Sequence, residues 1–131
     1  MAESFLAFVR EEAAEGYASK DERPVRDAAE KAWLAATQAL DGAMQRHGRV
    51  LSPGAMAHQD RHDFLKELGR RDLSEKLSVF ADQLHGQVFY FGAVPAEAEL
   101  KLALDEVRAF LREVKSKLWE LVGRGTRHRL G

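Results

Sequence analysis

The chain has 131 residues, a formal net charge of −1 and no cysteine. Those values exclude disulfides, thiolate catalysis, cysteine-ligated metal and any global electrostatic pull toward nucleic acid or acidic membranes. An apolar fraction of 45% and a charged fraction of 31% belong to one ordinary folded domain, not to a disordered tract.

The start, Met1-Ala-Glu-Ser-Phe, is acidic where a signal peptide would be basic. The longest mostly apolar run, Val88 to Val94, falls far short of a membrane span. A cytoplasmic protein away from membranes is therefore expected. A first helix is predicted over Glu3–Ser19, with Phe5, Phe8, Val9, Ala13 and Tyr17 on its apolar side. Lys20 to Arg23 is a polar turn, with Asp21 as the cap of the next helix and Pro24 in its first turn.

The second helix, Pro24–Arg46, reads as the centre of the fold. Val25, Ala28, Ala29, Ala32, Trp33, Ala36, Ala39, Leu40 and Ala43 recur at spacings of three and four, and Leu34 and Ala35 widen the apolar surface. Alanine lets neighbours come close, and Trp33 is the one bulky anchor. Gly48 suits the left-handed position after the helix. Ser52-Pro53-Gly54 marks a turn, and Val50, Leu51 and Met56 are expected to tuck onto the bundle.

A short helix follows over His58–Leu68, with Phe64, Leu65 and Leu68 inward and Gly69 as its stop. Asp72-Leu73-Ser74-Glu75 has capping-box spacing, so Asp72 is expected to cap the next helix, which runs to Phe91. Its stripe is Leu73, Leu77, Phe80, Leu84, Val88 and Phe91. The last helix is predicted over Pro95–Val122. Leu100, Leu104, Val107, Leu111, Val114, Leu118 and Leu121 make a heptad-like seam, with Phe110 and Trp119 beside it. Packing within a bundle explains that seam, and a dimer contact is the alternative. The fold expected is all-α: an up-and-down antiparallel four-helix bundle with one additional short helix over residues 1–122, and a basic flexible tail over 123–131.

Several side chains stand out for chemistry. His85, at the border of the fourth stripe, is either a proton shuttle or a border histidine bonded to a neighbouring helix. Tyr90 falls on a different side of that helix. Gly86 in a helix interior marks a close helix contact. Glu30 and Lys31 beside Trp33 point in different directions, so each needs its own partner on another helix. His58 and His62, four apart, have the spacing of two metal ligands but lack a third. Arg124, Arg127, His128 and Arg129 could touch phosphates, although a solubilising tail explains them as simply. Arg61, Arg70 and Arg71 would have to cluster with that tail to form a patch. No phosphate loop or nucleophile elbow occurs, and no cofactor is expected.

Ala28-Ala-Glu-Lys-Ala-Trp-Leu-Ala-Ala, followed by Leu84-His-Gly-x-x-Phe-Tyr before a long last helix, resembles the PaREP-type proteins among the HEPN-like bundles. The resemblance implies a helical bundle that is usually dimeric. Active HEPN ribonucleases pair a His with an Arg a few residues before it, at a spacing that varies slightly. His85 looks like that His, but the positions for the Arg hold Ser78, Val79 and Phe80. The expected function is therefore a non-catalytic binding or partner module acting as a homodimer, with Trp33, Glu30, Lys31, His85 and Tyr90 at the contact site. One alternative is a divergent ribonuclease or nucleotide-processing enzyme, with His85 as its catalytic residue and Arg61 or Arg71 as the cation. Another is the helical partner of a small nucleotidyltransferase, and RNA is a weaker candidate partner.

Overall fold

The computed structural model describes residues 2–119. They form five α-helices and no strand: α1 (Ala2–Ser19), α2 (Glu22–Arg46), α3 (Met56–Glu67), α4 (Arg71–Phe80) and α5 (Glu97–Glu113). Two of the helices continue with wider π-helical turns. α4 runs on through Ala81–Tyr90, and α5 runs on through Val114–Leu118. The predicted tail and Leu121–Val122 lie outside the described residues.

Long-range contacts fix the directions of the helices. Glu12 on α1 pairs with Lys31 on α2, and Gly16 lies against Val25, so these two helices are antiparallel. Arg26 meets Phe89, and Glu30 meets His85, so α2 and the π segment are antiparallel as well. Tyr17 donates to the Pro95 carbonyl, and Arg10 pairs with Asp105, which sets α1 against α5. The four long rods alternate in direction, and α3 crosses between the second and third.

The nine-residue stripe of α2 is buried throughout, from Val25 at one end to Ala43 at the other. Asp21 caps the helix by accepting from the Arg23 amide, and Gly48 ends it at a φ of +72°. Leu34 departs from expectation and faces solvent, because α2 keeps one narrow side uncovered.

The inward face of α1 also differs from the prediction. Val9 and Ala13 are buried as predicted, together with Leu6 and Gly16, whereas Phe5 and Phe8 are exposed, Phe8 by 61%. The alanine face of α2 draws α1 so close that small side chains fit and phenyl rings do not. At Gly16 a Cβ would stand 2.7 Å from the Val25 side chain and 2.9 Å from the Asp21 carbonyl oxygen. Val50 and Met56 do not tuck in either; Val50 is 91% exposed and only Leu51 of the three packs on the core.

Asp72 is not the cap of α4. The helix begins at Arg71, and Asp72 sits in its first turn accepting two hydrogen bonds from the Arg70 guanidinium. Arg70 reaches Glu113 on α5 as well, which ties the helix start to its neighbour. Leu73, Leu77, Phe80, Leu84 and Val88 are buried as the stripe predicts. Phe91 is instead 77% exposed. In the π segment amides bond five residues back, as Phe91 does to Gly86, and the wider turn swings Phe91 off the stripe. Gly86 does not mark a contact with another helix; the atom nearest a Cβ there is the Ala81 carbonyl oxygen, 3.3 Å away on the same rod.

Pro95 lies just before α5 rather than in its first turn, and Glu97 and Glu99 occupy that turn, where acidic side chains meet the positive helix end. The α5 seam is buried from Leu100 to Leu118. Phe110 is fully buried too, with its ring edge-on to Phe80 at 5.5 Å. The regular seam is thus used up by the core of the chain itself, and none of its described residues is left for a dimer.

Candidate functional site

One flank of α2 differs from the rest of the helix. Arg26, Glu30 and Trp33 follow each other at spacings of four and three, so they share the side that faces the π segment. Each finds a partner there. Arg26 donates from Nε and Nη2 to the Phe89 carbonyl at 3.1 and 2.7 Å, and from Nη2 to the Tyr90 carbonyl at 3.3 Å. Those carbonyls sit at the end of a helical segment, where intrahelical donors run out. The guanidinium therefore holds the end of the rod in place.

Glu30 Oε1 lies 2.7 Å from His85 Nδ1. The carboxylate is an acceptor only, so Nδ1 carries the proton. Nε2 has no hydrogen-bond partner among the described residues and is the nitrogen available to a ligand. The His85 side chain is 45% exposed and that of Glu30 19%, so the pair lies at the mouth of the interface, not deep inside it. The His85 ring stacks on Trp33 at 5.8 Å and on Phe89 at 6.2 Å. Two aromatic contacts and one carboxylate fix the imidazole plane.

Trp33 carries a second imidazole. His58, on α3, lies 6.2 Å from the indole at 57°. Its ring meets His62 edge-on at 4.6 Å, and His62 Nδ1 is 2.6 Å from the Ser74 hydroxyl of α4. Burial holds the pKa of His58 below the usual imidazole value, aided by the charge of Arg61 and by His85. Burial does the same for His62, aided by His58, Lys66 and Arg61 and opposed by Asp63. Both rings therefore favour the neutral form.

Lys31 points the other way and donates to both Glu12 oxygens, at 3.0 and 2.9 Å. As expected of adjacent charges, Glu30 and Lys31 serve different helices. Lys31 does not join the His85 cluster. Neither does Tyr90, which is 69% exposed and packs edge-on against Phe91 at 5.2 Å. Its ring opens on a cavity of about 370 Å³ shared with Arg23, Arg26, Asp27 and Phe89. The contact site expected of Trp33, Glu30, Lys31, His85 and Tyr90 is thus divided, with His85, Glu30 and Trp33 together and Lys31 and Tyr90 apart from them. Trp33 is a buried floor, not a contact surface.

His58 and His62 share a face as their spacing predicts. However, no three His, Cys, Asp or Glu side chains among the described residues converge to hold a metal, so the third ligand is not found there. The named cation Arg61 is held by Asp41 through two hydrogen bonds of 2.7 and 3.0 Å. Arg70 is likewise held by Asp72 and Glu113. Arg26 was not singled out by the sequence, and Phe89 and Ser74 were read there only as parts of a motif and a capping box. The spacing of Arg26, Glu30 and Trp33 is the signal that could have found Arg26.

No helix among the described residues is long and apolar enough to cross a membrane. No protein-family model, no curated protein and no solved structure matches this chain.

Proposed function

We propose that this chain is a non-catalytic binding module of the HEPN-like kind, acting as a cytoplasmic homodimer through the face that carries Tyr90 and Phe91. The observation that supports this reading most is the exposure of those two adjacent rings, 69% and 77%, at the end of a rod clamped by Arg26. Large aromatic side chains held rigidly in water bury much area on contact and lose little entropy. The test is sedimentation equilibrium at micromolar concentration. The wild type is expected to be a dimer and the Tyr90→Ser/Phe91→Ser variant a monomer. A monomeric wild type would end the homodimer reading. A small nucleotidyltransferase as the partner rests on the resemblance alone, and co-purification tests it.

One observation favours a second reading, a divergent ribonuclease or nucleotide-processing enzyme. Glu30 orients His85 and leaves Nε2 without a hydrogen-bond partner among the described residues, and a second imidazole, His58, lies 6.2 Å from the Trp33 ring. Incubation with labelled RNAs separates the readings. Cleavage by the wild type that is lost in His85→Ala would establish the enzyme. No cleavage by either protein is the expected result.

A further inference from the structure

A groove of about 510 Å³ runs between α4, with its π extension, and α5. Its floor is the core itself, including Phe80, Leu84 and Leu100. Its walls end in apolar side chains left in water. Val79 is 46% exposed on one wall and Leu102 66% on the other. Neither Tyr90 nor Phe91 lines this groove, and the argument for it does not depend on theirs.

The charged side chains that line the groove, Glu99 and Glu106, are both acidic. Two further acids extend the rim. Glu75 stands one turn before Val79 and is exposed, and Asp82 accepts a hydrogen bond from the groove residue Gln87. Lys76 offsets one of these charges from 3.9 Å, in an exposed pair with Glu106. Arg71 also stands one turn before Glu75, so two cations face four acids and the rim stays net negative.

That potential selects the occupant. A second copy of this chain would bring Glu99 and Glu106 against their own equivalents in a two-fold contact, which like charges oppose. Phosphate-bearing partners are repelled by the same rim. From Glu99 to Glu106 the wall is about 10 Å long, the length of roughly two helical turns. We propose that this groove is the docking site for an amphipathic helix of a partner protein that carries apolar residues on one face and Lys or Arg on its flanks. Its apolar face would cover Val79 and Leu102, and its cations would meet Glu99 and Glu106.

The probe is a labelled 14-residue Leu/Lys amphipathic peptide, compared with a Leu/Glu peptide of the same apolar pattern by fluorescence anisotropy at physiological salt. The Leu/Lys peptide is expected to bind and the Leu/Glu peptide to bind at least tenfold more weakly. Val79→Ser/Leu102→Ser removes the two exposed apolar contacts and is expected to weaken binding about tenfold or more. Glu99→Lys/Glu106→Lys is expected to reverse the preference between the peptides. Both variants change exposed side chains, and an unchanged thermal melt confirms that they fold. Equal binding of the two peptides, or no loss in Val79→Ser/Leu102→Ser, overturns the proposal. So does a dimer that Val79→Ser/Leu102→Ser converts to monomer, because the occupant would then be a second copy.

Discussion

The two flanks of α2 solve different problems with the same backbone. Toward α1 the helix offers alanine, and the two backbones approach until Gly16 is the residue that fits. That interface is close and mostly apolar, with the Lys31–Glu12 pair as its polar tie. Toward the π segment it offers Arg26, Glu30 and Trp33, which meet a carbonyl, an imidazole and an aromatic stack. The first flank is held by shape. The second is held by polar groups that each need a particular partner, so it alone presents chemistry at the surface. A helix can therefore be the core of a fold and one wall of a candidate site, with the division falling between adjacent residues such as Ala29 and Glu30.

The sharpest way to break this comparison is to remove Trp33, which belongs to both sides. It is nearly buried and supports both His58 and His85. Trp33→Ala is expected to cost about 3–5 kcal/mol, measured by denaturant unfolding. A loss under about 1 kcal/mol would mean that the ring is an adornment of the site and not its floor. Gly16→Ala tests the close flank. Alanine gains about 1 kcal/mol of helix propensity. It also drives a methyl group into the Asp21 carbonyl and Val25, an overpacking cost of about 1–3 kcal/mol. A backbone carbonyl cannot rotate aside, so net destabilisation is expected, and a stabilised variant would show that α1 and α2 separate easily.

An intermediate effect is expected from acid. His58 and His62 have pKa values lowered by folding, so the unfolded chain binds more protons than the folded one below the ordinary imidazole value. Stability then falls as the pH drops from about 6.5 toward the folded values. His62→Gln keeps a hydrogen-bonding partner for Ser74 without the proton. The melting temperature of this variant is expected to vary less with pH below 6.5 than that of the wild type. Equal slopes would place the acid sensitivity elsewhere.

The alanine flank was legible because every residue of its stripe is the right size at the right spacing. The face of α1 was misread for the converse reason. Phe5 and Phe8 look like the anchors, but the space beside alanine is thin, and Leu6 fills it with the predicted Val9 and Ala13. The polar flank was half legible. Glu30 and His85 both stood out, but they lie 55 positions apart in the chain and only the fold pairs them. The π segment left no mark in the pattern, because its buried positions through Val88 also satisfy an α-helical stripe. Its effect shows only at Phe91, which the widened turns move into water. Trp119 was visible as an aromatic beside the seam, although its tie to the centre was not. Its ring lies on Gly42 and under the Arg46 guanidinium, 4.1 Å away.

The smallest expected effect on stability is at Glu30, and it bears most directly on what the polar flank is for. The His85 ring is nearly half exposed, so its bond to Glu30 competes with water, and such pairs contribute roughly 0–1 kcal/mol. Glu30→Gln is therefore expected to leave the melting temperature almost unchanged. Its consequence is local. A carboxylate can only accept, which fixes the proton on Nδ1, whereas an amide can accept or donate and fixes neither tautomer. Imidazole nitrogen chemical shifts should move from one dominant tautomer in the wild type to a mixture in the variant. If stability falls by several kcal/mol instead, the pair is structural cement, and Nε2 of His85 is no longer a group held ready for a ligand. If stability and tautomer both stay as they were, Trp33 and Phe89 orient the ring alone, and the polar flank is held by shape as the alanine flank is.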